Sequence, residues 1–490
     1  MLRTRIGRTL LRRQTLSNAP AAASHRPLDS SHGQRAFHSL GLSQELVQKL
    51  TQLGLTTPTA AQRQAIPSIL RRDDVVVAAE TGGGKTLAYL LPLLEQLQAH
   101  PLPMNAIHRP VGLVLTTSQE LVRQVATVLE ALHPEIAKHS VSLSSTNQSL
   151  SNHRTCPLLI ATPKALLRAC KPKDFAFTKT VVVDEADMLL GGGFEKDTKQ
   201  IIATIRNQPL LKANLNNVEH ARQRLRTADD EEEEEELIHK DDVSSETRQT
   251  IFSAISFPSG MFACLPRSVR QYIEYKFPAA QFAVTEDFHR TLPRLDMTYC
   301  DLQKYIAQSS HENAGVDEAA RQHLLWKILT DEQQHQTTNQ GNNTLIFTNS
   351  IASADSLFDF LQQQQPSFPC VLFHKEISRD DRQAVLAQLD DETSNVVVVC
   401  TDIAARGLDT TKVRHVIQYE FASDVVSHLH RIGRTARAGT AGKVTNIISH
   451  ENALVVEKIM EAGDSVLDGA FSRKRSLRKK VKKFQRENRR

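Results

Sequence analysis

Between residues 75 and 448 the chain alternates short apolar runs with longer stretches of helical periodicity. The runs lie at 75–79, 111–116, 157–161, 180–184 and 249–253, and again at 344–348, 370–373, 395–400, 413–418 and 443–448. Short apolar strands separated by helices predict parallel α/β sheets. A helix is expected over Ser43–Leu53, ahead of the first strand. Residues 210–247 break the rhythm with Asp229-Asp230 and six glutamates at 231–236, read as an acidic, disordered insertion. A crossover at 285–297 precedes the second set of strands. Polar stretches near 308–318 and 331–343 read as surface loops.

Length changes this picture by requiring more than one core. A chain of 490 residues, 40% hydrophobic, is expected to form two or three domains. The 6 cysteines (156, 170, 264, 300, 370, 400) form no Cys-x-x-Cys pair. This argues against a zinc ribbon or disulfide framework and for a reducing compartment. No apolar run is long enough to cross a bilayer, so no membrane association is expected.

Charge is concentrated at the two ends. Residues 1–38 carry 7 Arg and one acid, Asp29; residues 472–490 carry 11 Lys/Arg and one acid, Glu487. Removing both from the 60 basic and 55 acidic residues of the chain leaves an acidic body of 42 and 53. At the start, Leu2, Ile6 and Leu10 share one helical face and Arg5, Arg8 and Arg12 another. Such an Arg-rich, acid-poor segment reads as a mitochondrial transit peptide and predicts the mitochondrial matrix. The tail at 471–490 suits a polyanion without sequence preference.

The most specific chemistry follows the first strand. Ala79-Glu80-Thr81-Gly82-Gly83-Gly84-Lys85-Thr86 places a glycine-rich turn between a strand and a helix. Such a turn directs backbone N–H groups into one concavity, and the helix adds its positive N-terminus. Lys85 supplies a charge for the β/γ-phosphates and Thr86 a hydroxyl for Mg²⁺. Asp184-Glu185-Ala186-Asp187 ends another strand, where Asp184 can hold Mg²⁺ through water and Glu185 can polarise an attacking water. A nucleotide with Mg²⁺ is therefore expected at this site.

With Ser253-Ala254-Ile255, Thr401-Asp402 through Arg406-Gly407-Leu408-Asp409, and His430-Arg431-Ile432-Gly433-Arg434-Thr435-Ala436-Arg437, the chain resembles a DEAD-box RNA helicase over residues 37–450. The resemblance implies an α/β fold of two tandem RecA-like domains with ATP and RNA bound between them. It divides the chain into a transit peptide (1–36), an ATP-binding domain (37–284), a linker (285–297), a C-terminal helicase domain (298–470) and a basic tail (471–490). It implies that Phe37 stacks on the adenine and Gln62 reads its edge, that Asp409, with Gly407, meets the ribose, and that Arg434 and Arg437 act as arginine fingers. Asp187, Ser253, Ala254 and His430 would couple the ATP and RNA sites. Glu120, Thr162, Pro163, Arg382, Thr401 and Arg406 would face RNA.

Several RNA-facing motifs depart from the family pattern. Thr117-Ser118-Gln119-Glu120-Leu121-Val122 stands where the family has Pro-Thr-Arg-Glu-Leu-Ala, and Thr162-Pro163-Lys164-Ala165 where it has Thr-Pro-Gly-Arg. Arg168 lies one turn beyond, and Ile255 replaces a threonine. The expected activity is that of a monomeric RNA-stimulated ATPase that clamps and remodels RNA. Mitochondrial ribosomal RNA and large-subunit ribosome-assembly proteins are the expected partners. The alternative is an ATP-gated RNA-binding assembly factor with little unwinding. The Gln motif together with Asp-Glu-Ala-Asp argues against a DNA-directed helicase of the same superfamily.

Overall fold

A computed structural model describes residues 36–99, 110–143, 156–191, 193–210, 247–254, 269–285, 295–308, 317–335, 342–365, 368–391, 393–404, 412–423, 425–437, 440–452 and 456. Apart from the boundary residues Ala36, Leu210 and Thr247, the expected transit peptide, acidic insertion and basic tail lie outside these residues.

The first half comprises α1 (Gln44–Gln52), α2 (Ala60–Leu70), β1 (Val75–Ala78), α3 (Lys85–Ala99), β2 (Gly112–Leu115), α4 (Gln119–Leu132), α5 (Pro134–His139), β3 (Val141–Leu143), β4 (Leu158–Ala161), α6 (Pro163–Ala169), β5 (Thr180–Val183), α7 (Ala186–Gly191), α8 (Glu195–Asn207), β6 (Gln249–Ala254), α9 (Val269–Lys276) and β7 (Gln281–Val284). The second half comprises β8 (Leu295–Asp301), α10 (Leu302–Gln308), α11 (Asp317–His335), β9 (Asn343–Phe347), α12 (Ile351–Gln364), β10 (Cys370–Phe373), α13 (Arg379–Asp390), β11 (Val397–Cys400), β12 (Val413–Gln418), α14 (Val425–Ile432) and β13 (Gly442–Ile448).

Two parallel sheets result, ordered β3-β4-β2-β5-β6-β1-β7 and β10-β11-β9-β12-β13-β8. Alternate strand residues serve opposite faces. Val75 and Val77 enter one core cluster while Val76 and Ala78 enter the other. Leu345 and Phe347 are likewise separated from Ile346. Period-2 side-chain alternation with both faces covered explains why these strands read as continuous apolar runs.

All ten expected strands form, most within one or two residues of their expected bounds. Three others, β3, β7 and β8, were not anticipated. They are sheet-edge or polar-bearing segments: Ser142 interrupts β3, and β7 and β8 are largely exposed or half-buried. Strand β8 begins at Leu295, inside the expected linker, and pairs with β13 along its full length. Helix α11 continues to His335, into a stretch expected to be a loop.

Candidate active site between the two sheets

Sheet order assembles the first half of the site. Strands β2, β5, β6 and β1 are consecutive neighbours, so their carboxyl ends bring Thr117, Asp184-Glu185, Ser253 and the glycine-rich loop together. Carboxyl ends of parallel strands are where open α/β sheets bind ligands.

After β1 the loop turns through Gly82 and Gly84, with φ of 80° and 78°. A Cβ on Gly84 would lie 2.5 Å from the Gln62 amide nitrogen. That closeness is used: Gln62 Nε2 donates to the Gly84 carbonyl at 3.1 Å, and Thr59 Oγ1 to that of Gly83 at 2.8 Å. Gln62 Oε1 accepts from the Thr59 N–H at 2.9 Å, closing a capping box on α2. Gln62 thus braces the phosphate loop, a task beyond the adenine contact expected of it.

Lys85 Nζ folds back onto the loop, donating to the carbonyls of Ala79 at 2.8 Å and Glu80 at 2.7 Å. Part of its surface stays accessible, yet its ammonium is enclosed. Burial lowers its pKa to about 8, against the opposing pull of Asp184, Asp187 and Glu80.

Asp184 is buried. Its carboxylate accepts from the Tyr89 hydroxyl at 2.9 Å and from the Glu185 N–H at 3.0 Å. Burial, then the Glu185 charge, pushes its pKa up, opposed by the neighbouring Ser253 and Tyr89 hydroxyls and by Lys85. The Ser253 hydroxyl makes this contribution without full hydrogen-bond geometry. Glu185 has φ +51°, a left-handed backbone that non-glycine residues adopt at a cost of about 1–3 kcal/mol. Its Oε2 accepts from the Thr117 hydroxyl at 2.5 Å.

A hydroxyl on Thr86 and a buried, desolvated carboxylate on Asp184 fit Mg²⁺. That cation takes one or two protein groups and completes its shell with water and phosphate. Among the described residues no cluster of three or more His, Cys, Asp or Glu could hold a metal unaided.

The second sheet supplies the opposite wall. Helix α14 carries Arg431, which is fully buried. Its guanidinium donates to Asp402 Oδ1 at 2.6 Å, to Asn349 Oδ1 and the Glu420 carbonyl at 2.7 Å each, and lies 5.2 Å from the Phe347 ring centroid. These partners follow β11, β9 and β12, so one side chain ties three strand ends together.

Beyond Arg431 the chain crosses to the phosphate loop. A Cβ on Gly433 would meet Thr81 Oγ1 at 2.2 Å, so any side chain there would have to displace Thr81. His430 Nε2 stands 3.5 Å from Asp187 Oδ2, with both side chains buried. Arg437 is near enough to Lys85 to lower its pKa. Arg434 and Arg437 donate through Nε to the carbonyls of His430 at 3.1 Å and Gly433 at 2.8 Å. A second crossing joins Arg382 to Glu120 at 3.7 Å. Two residues expected to face RNA therefore meet each other. Burial, then the Arg379 charge, lowers the pKa of nearby Arg123.

The structure gathers Gln62, Ala79–Thr86, Asp184, Glu185, Asp187, Ser253, Ala254, His430, Arg434 and Arg437 around one cleft. Thr162 and Pro163 open α6 at the end of β4, with Lys164 and Arg168 exposed on it. Thr401 follows β11. Arg406, Gly407, Asp409 and Ile255 lie outside the described residues. Phe37 corrects an expectation: it is 2% exposed and belongs to the first-domain core with Leu42 and Leu46, so its ring has no open face for a base. Arg431, Tyr89 and Thr117 received no role from sequence. Arg431 lies within a recognised motif and could have been marked by its place there. Thr117 also lies within a recognised motif, but its contact with Glu185 depends on the neighbouring strand, as that of Tyr89 with Asp184 depends on the fold.

A phosphate loop and an acidic strand end on one parallel sheet, faced by arginines from a second, define a two-domain, RecA-like nucleotide-dependent machine. The DEAD/DEAH box helicase family model matches residues 59–225, and the helicase conserved C-terminal domain model residues 321–439. DEAD-box ATP-dependent RNA helicase 22 of Oryza sativa subsp. japonica is 31% identical, over 91% of this chain and 84% of that protein. The Arabidopsis thaliana protein of the same name is 31% identical, over 91% and 83%. The fold is also that of the DEAD-box helicase Mss116 bound to ssRNA and UDP-BeF, with TM-score 0.66, 20% identity and coverage of 89% and 79%. The chain belongs to the DEAD-box ATP-dependent RNA helicases.

Proposed function

We propose that the chain is an RNA-stimulated ATPase that closes its two sheets over ATP and RNA, and bends and remodels the RNA it grips. The observation that carries this reading is the apposition of Gly433 and Thr81, beside the buried Asp187–His430 pair. A loop of the second domain is thereby pressed against the phosphate loop of the first. Arginines carried on that loop can reach a γ-phosphate only when the domains are closed, which ties hydrolysis to clamping.

In this reading Lys85 holds the β/γ-phosphates within the glycine loop, and Arg434 and Arg437 stabilise charge that develops in the transition state. Mg²⁺, held by Thr86 and through water by Asp184, neutralises phosphate charge when bound. Glu185 orients the attacking water, and Asp187 and His430 join the two halves. Thr162, Pro163 and Thr401 face the RNA backbone, with Glu120–Arg382 closing the cleft beside it. Asp409 and Gly407 complete the nucleotide site. The Arg-rich, acid-poor start supports a mitochondrial matrix location. That location, with this family, supports mitochondrial ribosomal RNA during large-subunit assembly as the substrate.

Glu185→Gln tests the chemistry. Steady-state hydrolysis should fall by about 100-fold, while a fluorescent RNA remains bound in an ATP-dependent, slowly dissociating complex. Unchanged turnover would remove Glu185 from its role.

A second reading is favoured by Gln119, Lys164-Ala165 and Ile255, positions where the family carries RNA-facing cations or a coupling hydroxyl. In it the chain is an ATP-gated assembly factor that grips RNA with little unwinding. Clamping without strand release in a short-duplex assay would select it.

A further inference from the structure

Thr117 stands where the resembled family carries proline, which has no side-chain donor. Strands β2 and β5 run parallel with Leu115 opposite Val183, so residues two steps further along, Thr117 and Glu185, come out side by side. The Thr117 hydroxyl donates to Glu185 Oε2 at 2.5 Å, within the short range of an O–H bond to a carboxylate. Thr117 is 6% exposed, so water competes poorly for this bond. Its loop is fixed on both sides. The Thr116 N–H donates to the Ala161 carbonyl at 3.0 Å, and the Asp184 N–H to that of Leu115 at 2.9 Å.

We propose that Thr117 is a positioning residue for ATP hydrolysis: by occupying Oε2 it fixes the rotation of the Glu185 carboxylate and presents Oε1 to the attacking water. The need is local. The left-handed backbone of Glu185 turns a flexible side chain toward the neighbouring strand end, and a carboxylate held at one oxygen has one orientation left to offer. The same segment leads into α4, whose cap Ser118 and cleft residue Glu120 follow directly. Glu185 is thus anchored to the strand end that meets the second domain.

This assignment rests on the water-orienting role proposed for Glu185, and the test separates the two. RNA-stimulated ATP hydrolysis by the full chain is measured for the wild type, Thr117→Val, Thr117→Ala, Thr117→Ser and Glu185→Gln, with ATP KM, half-stimulating RNA concentration and melting temperature recorded. Thr117→Val and Thr117→Ala should lose about tenfold in kcat while both half-saturation values stay within about twofold. Thr117→Ser, which keeps the donor, should return kcat to within about twofold of wild type. Wild-type kcat in the valine and alanine variants, or a serine variant as slow as they are, would overturn the assignment. So would loss of the folding transition in both donor-less variants, which would make the bond structural. Glu185→Gln turning over at the wild-type rate would instead defeat the reading of Glu185 itself.

Discussion

Lys85 shows how a single side chain can carry the chemistry of the cleft and its pH dependence together. In the free protein burial holds its ammonium near a pKa of about 8, well below the 10.5 of an exposed lysine. Bound phosphates would favour the charged form, so ATP binding raises this pKa and takes up a proton when the pH is above about 8. ATP should therefore bind more weakly as the pH rises from about 8 toward 10. Calorimetric titrations in buffers of different ionisation enthalpy should register proton uptake at pH 8.5 and little at pH 7, and a pH-independent affinity would contradict this. Lys85 was legible in the sequence because its loop is a contiguous, local feature. Gln62 was half legible: its motif was recognised, but its bond to the Gly84 carbonyl spans 22 residues and required the fold. Phe37 was misread because spacing alone cannot distinguish a ring that faces a ligand from one that faces the core.

At the scale of elements, α14 is tied into the second sheet by its own arginine. Arg431 is buried, and around it lie the Asp402 carboxylate, 31% exposed, and three further acceptors, the Asn349 side chain and two backbone carbonyls. Removing this donor leaves buried carbonyl acceptors unsatisfied, at a cost of about 1–3 kcal/mol for such a group. Arg431→Ala should therefore lower the urea midpoint of the second domain, followed by tyrosine and tryptophan fluorescence. Trp326 lies in α11 of that domain and reports on it directly. An unshifted midpoint would show that the Arg431 network adds nothing to stability. The ten apolar strands were visible in the sequence because both faces are covered and neither needs a polar partner. Strands β3, β7 and β8 were not visible, because edge and half-exposed strands lose the continuous apolar signal. The pairing of β8 with β13 also depends on residues almost 150 positions apart.

Across the whole molecule, closure draws on polar contacts that include Asp187 with His430 and Glu120 with Arg382. Met188 adds an apolar contact from the first domain to the core of the second. Arg382→Ala removes one contact and strands the buried Glu120 carboxylate in the closed form alone. It should shift the population toward open domains and raise the half-stimulating RNA concentration about five- to twentyfold, with ATP affinity in the absence of RNA unchanged. Energy transfer between dyes on the two domains would follow the change, and an unaltered closed population would exclude a role for the pair in closure. The sequence by itself determined the parallel α/β class, the two-part organisation, the phosphate loop and the order of the motifs, since each is written in adjacent residues or simple periodicity. The tertiary structure alone decided that Thr117 touches Glu185, that Arg431 binds three strand ends, that Phe37 is core, and that Glu120 answers Arg382. Those contacts are set by strand order, parallel register and the meeting of two sheets, none of which is encoded in the spacing of residues along a single segment.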